Sequence, residues 1–143
     1  MAKLISYPLS VLYYLFFGFT LILFDGVQRI CYFFLGKNAH RASIIALNFL
    51  LLRYLNILGT RFVLDCPFTI EKNQSYIFVA NHQSTYDIPP LIWYLRKAYP
   101  TFVGKKELGK GIPSISFNLR NGSAVLIDRK NPKQALKDIK AFG

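Results

Sequence analysis

The hydrophobic pattern divides the chain into two stretches of different period. Residues 8–24 (PLSVLYYLFFGFTLILF) hold no charged side chain. A helix of that length, rising about 1.5 Å per residue, reaches roughly 26 Å, just under the ~30 Å of a bilayer's hydrocarbon core. Apolar character resumes at residues 30–36 and 43–52, interrupted by Asp25, Arg29, Lys37 and Arg41. Asp25 and Arg29 stand at the i, i+4 spacing of a helical ion pair. This part therefore predicts two helices, one partly submerged, or a helical hairpin. A signal peptide is the competing reading, because Lys3 precedes the apolar stretch; no small-residue cleavage site precedes Asp25, however, and aromatic residues crowd the segment.

Near residues 57–60 the leucine-rich pattern stops and the period shortens. Residues 61–64, 76–80, 101–103 and 124–127 are β-rich runs that predict strands. Helical candidates lie between them. Residues 89–97 open with prolines tolerated in a helix's first turn, residues 107–108 and 115–119 give weaker signals, and residues 132–142 predict a last helix with proline at its start. Alternating strand and helix implies an α/β sheet. The expected organisation is a membrane-associated helical region over residues 1–58, followed by an α/β region over residues 59–143.

Composition sharpens the picture in two places. The chain of 143 residues is 52% hydrophobic, more than one soluble domain of that length needs, which puts part of the apolar surface against lipid. Only Lys3 precedes the first apolar stretch, while Arg29, Lys37, Arg41 and Arg53 come after it; the positive-inside bias places the remainder of the chain on the cytoplasmic side. The net charge is +11, and from Tyr94 onward eleven Lys or Arg face three Asp or Glu. Anionic headgroups, phosphorylated small molecules and nucleic acid are drawn to such a field equally. No helix-turn-helix, RNA-recognition or zinc-finger pattern accompanies it, so no nucleic-acid partner is expected. Cys31 and Cys66 lack CxxC spacing and a nearby histidine; they predict reduced packing residues and no metal site.

The chemistry-bearing stretch comes directly after residues 76–80. That run leads into Asn81-His82-Gln83-Ser84-Thr85-Tyr86-Asp87, a polar turn at the carboxyl end of a predicted strand, where α/β sheets collect ligands. An imidazole, with a free pKa of about 6.5, takes a proton from an attacking alcohol when a carboxylate holds its other nitrogen in the right tautomer. On a straight helix residues five apart point about 140° away from each other. His82 and Asp87 pair only if the chain turns across Gln83-Ser84-Thr85-Tyr86. On spacing alone a second reading stands beside this one: Asp87 N-caps a helix at Ile88-Pro89-Pro90, and His82 is a satisfied loop residue.

Asn81-His82-xxxx-Asp87 after a β-rich run resembles the first signature of the glycerolipid acyltransferase family, the 1-acylglycerol-3-phosphate acyltransferases in particular. Phe102-Val103-Gly104-Lys105-Lys106-Glu107-Leu108 resembles the family's next block. Val125-Leu126-Ile127-Asp128-Arg129 resembles its phosphate-recognition block, in the right order and at about the right spacing. The resemblance covers roughly Ser75 to the end of the chain and favours the catalytic reading of His82 and Asp87.

The resemblance implies transfer of an acyl group from acyl-CoA or acyl carrier protein to the free hydroxyl of a lysophosphatidate, with no cofactor, metal or covalent enzyme intermediate. His82 is then the general base and Asp87 its orienter. Arg129, with a planar fork of donors, and Lys105, with a mobile point charge, meet the demands of a phosphomonoester. The implied partners are a lysophospholipid, an acyl thioester, membrane lipid and possible acyl carrier protein. Lys106, Lys110, Lys130, Lys133, Lys137 and Lys140 read as a solvated basic face near anionic lipid.

Two departures qualify the match. The family's glycine six residues before the arginine is displaced by one: Ser123 holds that place and the glycine is Gly122, as a one-residue insertion between Lys105 and Arg129 would produce. Family members also continue into a further strand and a Glu-Gly-Thr-Arg block. The fold class implied is thus an N-terminal set of membrane-associated helices followed by an incomplete glycerolipid-acyltransferase-type α/β domain, and a chain of this extent alone is expected to be unstable or inactive. The competing functions are a membrane-anchored remnant that binds anionic lipid, and an acyltransferase whose acceptor is glycerol 3-phosphate or another lysophospholipid.

Overall fold

A computed structural model describes residues 2–71 and 74–142. Met1 and Gly143, the outer ends of the predicted regions 1–58 and 59–143, lie outside the described residues, as do Lys72 and Asn73. The chain forms two compact units, Met1–Thr20 with Arg41–Pro100 and Leu21–His40 with Thr101–Gly143.

Helix α1 (Ala2–Ile30) runs on beyond the uncharged stretch and widens into a π-type turn, Cys31–Leu35. Gly36, at φ 86°, ends it in the left-handed backbone region that only glycine enters freely. Helix α2 (Lys37–Ile57) comes next, so the expected pair of helices is present. The Asp25–Arg29 pair forms at the predicted spacing, Nε to Oδ2 2.8 Å. From Ser6 to Leu35 the helical stretch is long and apolar enough to cross a membrane, and only 17% of its most apolar window is buried within the protein.

In the first unit, α2 buries Ile44, Leu47, Asn48, Leu51, Leu52 and Leu55. These positions, at i, i+3, i+4, i+7, i+8 and i+11, make one face of a helix. The one polar member is satisfied within the helix, Asn48 Nδ2 donating to the Ile44 carbonyl at 2.8 Å. Tyr54 on α2 meets α1 through its hydroxyl, 3.0 Å from Thr20 Oγ1, and through its ring, 5.7 Å from that of Phe16. Phe49 packs on Trp93 at 4.5 Å between ring centroids, which seats the short helix α3 (Ile88–Tyr94) against α2.

The residues after α2 depart from expectation. The β-rich runs at 61–64 and 76–80 form no strand. The second is extended, since the rings of Tyr76 and Phe78, two residues apart, lie on one side with centroids 5.8 Å apart. It has no ladder, however, and Ile77 and Val79 are 94% and 93% exposed. β-propensity favours an extended backbone; a strand also needs a partner at hydrogen-bonding distance, and that comes from distant chain. Cys66 likewise is exposed rather than packed, its thiol donating to the Phe68 carbonyl at 3.1 Å, and Cys31 is half-buried; both are free.

In the second unit the strands are β1 (Phe102–Lys105) and β2 (Ala124–Ile127), parallel, with Phe102 opposite Ala124 and Lys105 opposite Ile127. The α/β expectation is thus met by a two-stranded sheet in a mostly helical chain. A 3₁₀ turn, Lys106–Gly109, closes over β2. A Cβ at position 109 would lie 2.7 Å from Leu126 Cδ1, so glycine there permits the close approach. Helix α4 (Ile115–Asn118) continues into a π-type turn, Leu119–Ser123, with Gly122 at φ 105°. The backbone leaves helical angles at Asn121 (φ −107°, ψ 35°) and at Gly122, so the chain kinks there before entering β2.

Helix α5 (Pro132–Phe142) begins where predicted, with Asn131 Oδ1 accepting from the Gln134 N–H at 3.1 Å, and it buries Ala135. A buried polar cluster joins α4 to α1 in this unit. Asp25 Oδ1 accepts from the Ser114 N–H at 2.7 Å, and Gln28 Oε1 accepts from the Ser114 hydroxyl at 2.6 Å.

Candidate active site

The local sequence after Asn81 folds into a tight polar turn. Ser84 is the N-cap of a 3₁₀ turn, Thr85–Asp87, and its hydroxyl accepts from the Tyr86 N–H at 3.3 Å. In return one oxygen of Asp87, Oδ2, accepts from the N–H groups of Ser84 and Gln83, each at 2.9 Å. This is a capping box, in which two side chains satisfy the orphan donors at a helix start.

That same oxygen lies 3.1 Å from His82 Nδ1. The turn across Gln83-Ser84-Thr85-Tyr86 required by the five-residue spacing is therefore made. With the proton on Nδ1 donating to Asp87, the lone pair stands on Nε2, the tautomer a general base needs. The side chains of His82 and Asp87 are 54% and 37% exposed, so both are open to a reactant. Asp87 also occupies the N-cap position of α3 but makes no side-chain bond into that helix. Its carboxylate caps the 3₁₀ turn and holds the imidazole at once.

The Ser84 N–H first, then the Gln83 N–H, hold the Asp87 carboxyl below the usual carboxylate range, with His82 adding to the same direction. A carboxyl whose folded value is depressed contributes its stabilisation in full above the unfolded value and loses it as pH falls through the folded one. The Asp87 carboxylate therefore stays ionised in the folded turn where an unfolded aspartate begins to protonate, and its stabilisation falls away as pH drops from there. A carbon-13 titration of the Asp87 carboxyl is expected to show a midpoint below that of an unfolded aspartate; a midpoint at or above it would contradict the geometry.

Beside the pair runs a groove of about 330 Å³. Asn81 and Asp87 stand at its polar side, and Phe62, Val63, Leu64, Ala80, Pro90, Leu91, Tyr94 and Leu95 give it an apolar wall. A long hydrocarbon chain gains free energy from such a surface at about 25 cal/mol per Å² of apolar area covered.

Lys105 and Arg129 belong to the second unit. Lys105 ends β1 opposite Ile127, the last residue of β2, and Arg129 lies two residues further on. Both therefore stand at the carboxyl end of the two-stranded sheet. Both are exposed, and neither forms an ion pair with another described residue. Asp128 is occupied locally, its Oδ1 accepting from the Lys130 N–H at 2.9 Å.

Sequence reasoning overlooked Ser84 and the two backbone N–H groups. The signal was present, because Ser84-x-x-Asp87 has the spacing of a capping box.

A family model described as Acyltransferase matches residues 66–141, more than half of the 143. The chain belongs to this family, the glycerolipid acyltransferases that its three ordered blocks resemble. Neither the curated proteins nor the solved structures compared with the chain give a match.

Proposed function

We propose that the protein transfers a fatty acyl group from a thioester, acyl-CoA or acyl-acyl carrier protein, to the free hydroxyl of 1-acylglycerol 3-phosphate in phospholipid synthesis. The observation that carries this reading is the 3.1 Å bond between His82 Nδ1 and Asp87 Oδ2 inside the segment matched by the family. His82 Nε2 takes the proton of the acceptor hydroxyl as its oxygen attacks the thioester carbonyl carbon. The tetrahedral intermediate collapses with cleavage of the C–S bond, and the imidazolium returns the proton to the departing thiolate. Asp87 fixes the tautomer and stabilises the imidazolium. The apolar groove beside Asp87 takes an acyl chain.

Arg129 and Lys105 bind the acceptor's phosphate, the guanidinium through two parallel hydrogen bonds and the ammonium as a point charge. The uncharged part of α1 sits in a membrane, with the catalytic side toward the cytoplasm by the distribution of Arg29, Lys37, Arg41 and Arg53. This arrangement lets an amphiphilic acceptor reach His82 from the lipid surface.

The phosphate assignment is tested with acceptors that differ only in that group, using the complete gene product in lipid vesicles. Arg129→Ala is expected to raise KM for 1-acylglycerol 3-phosphate by about 10- to 100-fold, the worth of a charge-assisted bidentate contact, with Arg129→Lys in between. KM for a monoacylglycerol, which lacks the phosphate, should stay unchanged. Equal effects on both acceptors would remove Arg129 from the phosphate site. Faster turnover of glycerol 3-phosphate than of its 1-acyl ester would replace the acceptor.

A further inference from the structure

The turn that carries Asp87 is seated on α1. Tyr86, the middle residue of the turn, meets the ring of Tyr13 edge-on, with centroids 5.9 Å apart and planes at 73°. Tyr13 is only 1% exposed and is itself held by Phe17 at 5.8 Å and by Tyr14 at 5.4 Å. The hydroxyls of Tyr14 and Tyr86 lie 3.4 Å apart. An aromatic cluster on α1 thus receives the residue next to Asp87.

The other side of the turn offers little restraint. Asn81, His82 and Gln83 are exposed, and the extended run before them has no ladder. The capping box fixes the shape of the turn internally, but its bonds all run between residues 82 and 87. On its carboxyl side the turn runs into α3, which Trp93 seats on α2, and the ring contacts tie Tyr86 itself to α1. Aromatic pairs in this edge-on arrangement add directional attraction to the area they bury.

We propose that Tyr13 is a positioning residue: its buried ring, acting through Tyr86, holds the Asp87 carboxylate within bonding distance of His82. The effect on rate rests on the function proposed above; the effect on the His82–Asp87 bond does not. Misplacement of a catalytic group by about 1 Å costs up to about 100-fold in rate, so the contact matters although Tyr13 touches no reactant.

The test reads the His82 ring directly, by nitrogen-15 NMR of imidazole-labelled full-length protein in lipid bicelles, alongside turnover. Wild type is expected to show a protected Nδ1–H. In Tyr13→Ala and Tyr86→Ala that signal should be lost and the ring should shift toward the Nε2–H tautomer preferred by free histidine. Turnover should fall about 10- to 100-fold with KM for both substrates within about twofold, a loss confined to the reacting geometry. Tyr13→Phe, which keeps the ring contact and removes only the hydroxyl that also meets Tyr86, should restore most of both readouts.

Circular dichroism separates this from unfolding. If Tyr13→Ala loses its helix content, Tyr86→Ala carries the test, since it removes the half-buried partner and leaves the buried ring in place. An unchanged Nδ1–H signal in a folded Tyr86→Ala or Tyr13→Ala protein overturns the proposal. Loss of the signal in variants of a protein that shows no acyl transfer would leave the positioning role standing and overturn the proposed reaction instead.

Discussion

Replacement of His82 by alanine is expected to lower acyl transfer by about 10²- to 10⁴-fold, the range that a positioned general base contributes. The cause is local. In the proposed reaction Nε2 is the proton acceptor that the Asp87 contact makes available, and alanine offers no substitute. The loss should fall on turnover, with KM for the phosphorylated acceptor little changed, because the proposed function gives the phosphate to Arg129 and Lys105 and not to His82. It should also leave the fold intact: the His82 side chain is 54% exposed and its bonding partner is Asp87. Steady-state kinetics with circular dichroism on the same samples check both parts. Turnover of His82→Ala within a few-fold of wild type would remove His82 from the reaction.

Asp87→Asn is expected to be nearly as damaging, by about 10²- to 10⁴-fold, for a different reason. The amide keeps the size of the carboxylate and its oxygen can still accept from the Ser84 or Gln83 N–H. It cannot serve both of them and His82 with one charged oxygen, as Asp87 does at 2.9, 2.9 and 3.1 Å. Its NH₂ group turned toward Nδ1 also favours the tautomer with the proton on Nε2, where no base remains. Asp87→Ala additionally strips the capping box, so the 3₁₀ turn Thr85–Asp87 should fray. Hydrogen exchange at Gln83 and Ser84 distinguishes the two variants. It should rise strongly in Asp87→Ala and modestly in Asp87→Asn, while both lose turnover. Retention of activity in Asp87→Asn would reduce the carboxylate to a cap.

How much of this was legible in the sequence depends on how far each feature reaches along the chain. The helices were legible because their cause is local: α2 carries its buried residues at helical spacing, and α5 begins at Pro132 after the cap Asn131. The Asp25–Arg29 pair and strand β2 were read at their observed places for the same reason. The runs at 61–64 and 76–80 were misread as strands because β-rich composition specifies only an extended backbone. The partner that makes a strand lies far off in sequence, and among the described residues the ladder is between β1 and β2 alone. The pairing of His82 with Asp87 was legible as a possibility but not its mechanism, since spacing poses capping and orientation as rivals. The folded turn shows one carboxylate oxygen doing both. Tyr13 was hidden in an apolar stretch where nothing local marks it off from its neighbours, and only the fold brings it to Tyr86, 73 residues on.

Membership of the acyltransferase family fixes the class of chemistry, and the measurement that tests the proposed reaction most directly is acyl transfer itself. Vesicles carrying the complete gene product, wild type or His82→Ala, are given acyl-labelled thioester and 1-acylglycerol 3-phosphate, and labelled diacyl product and free thiol are monitored together. The account predicts equal release of both by wild type and background levels by the variant. Equal product from the two proteins, or thiol released without labelled diacyl product, would contradict it.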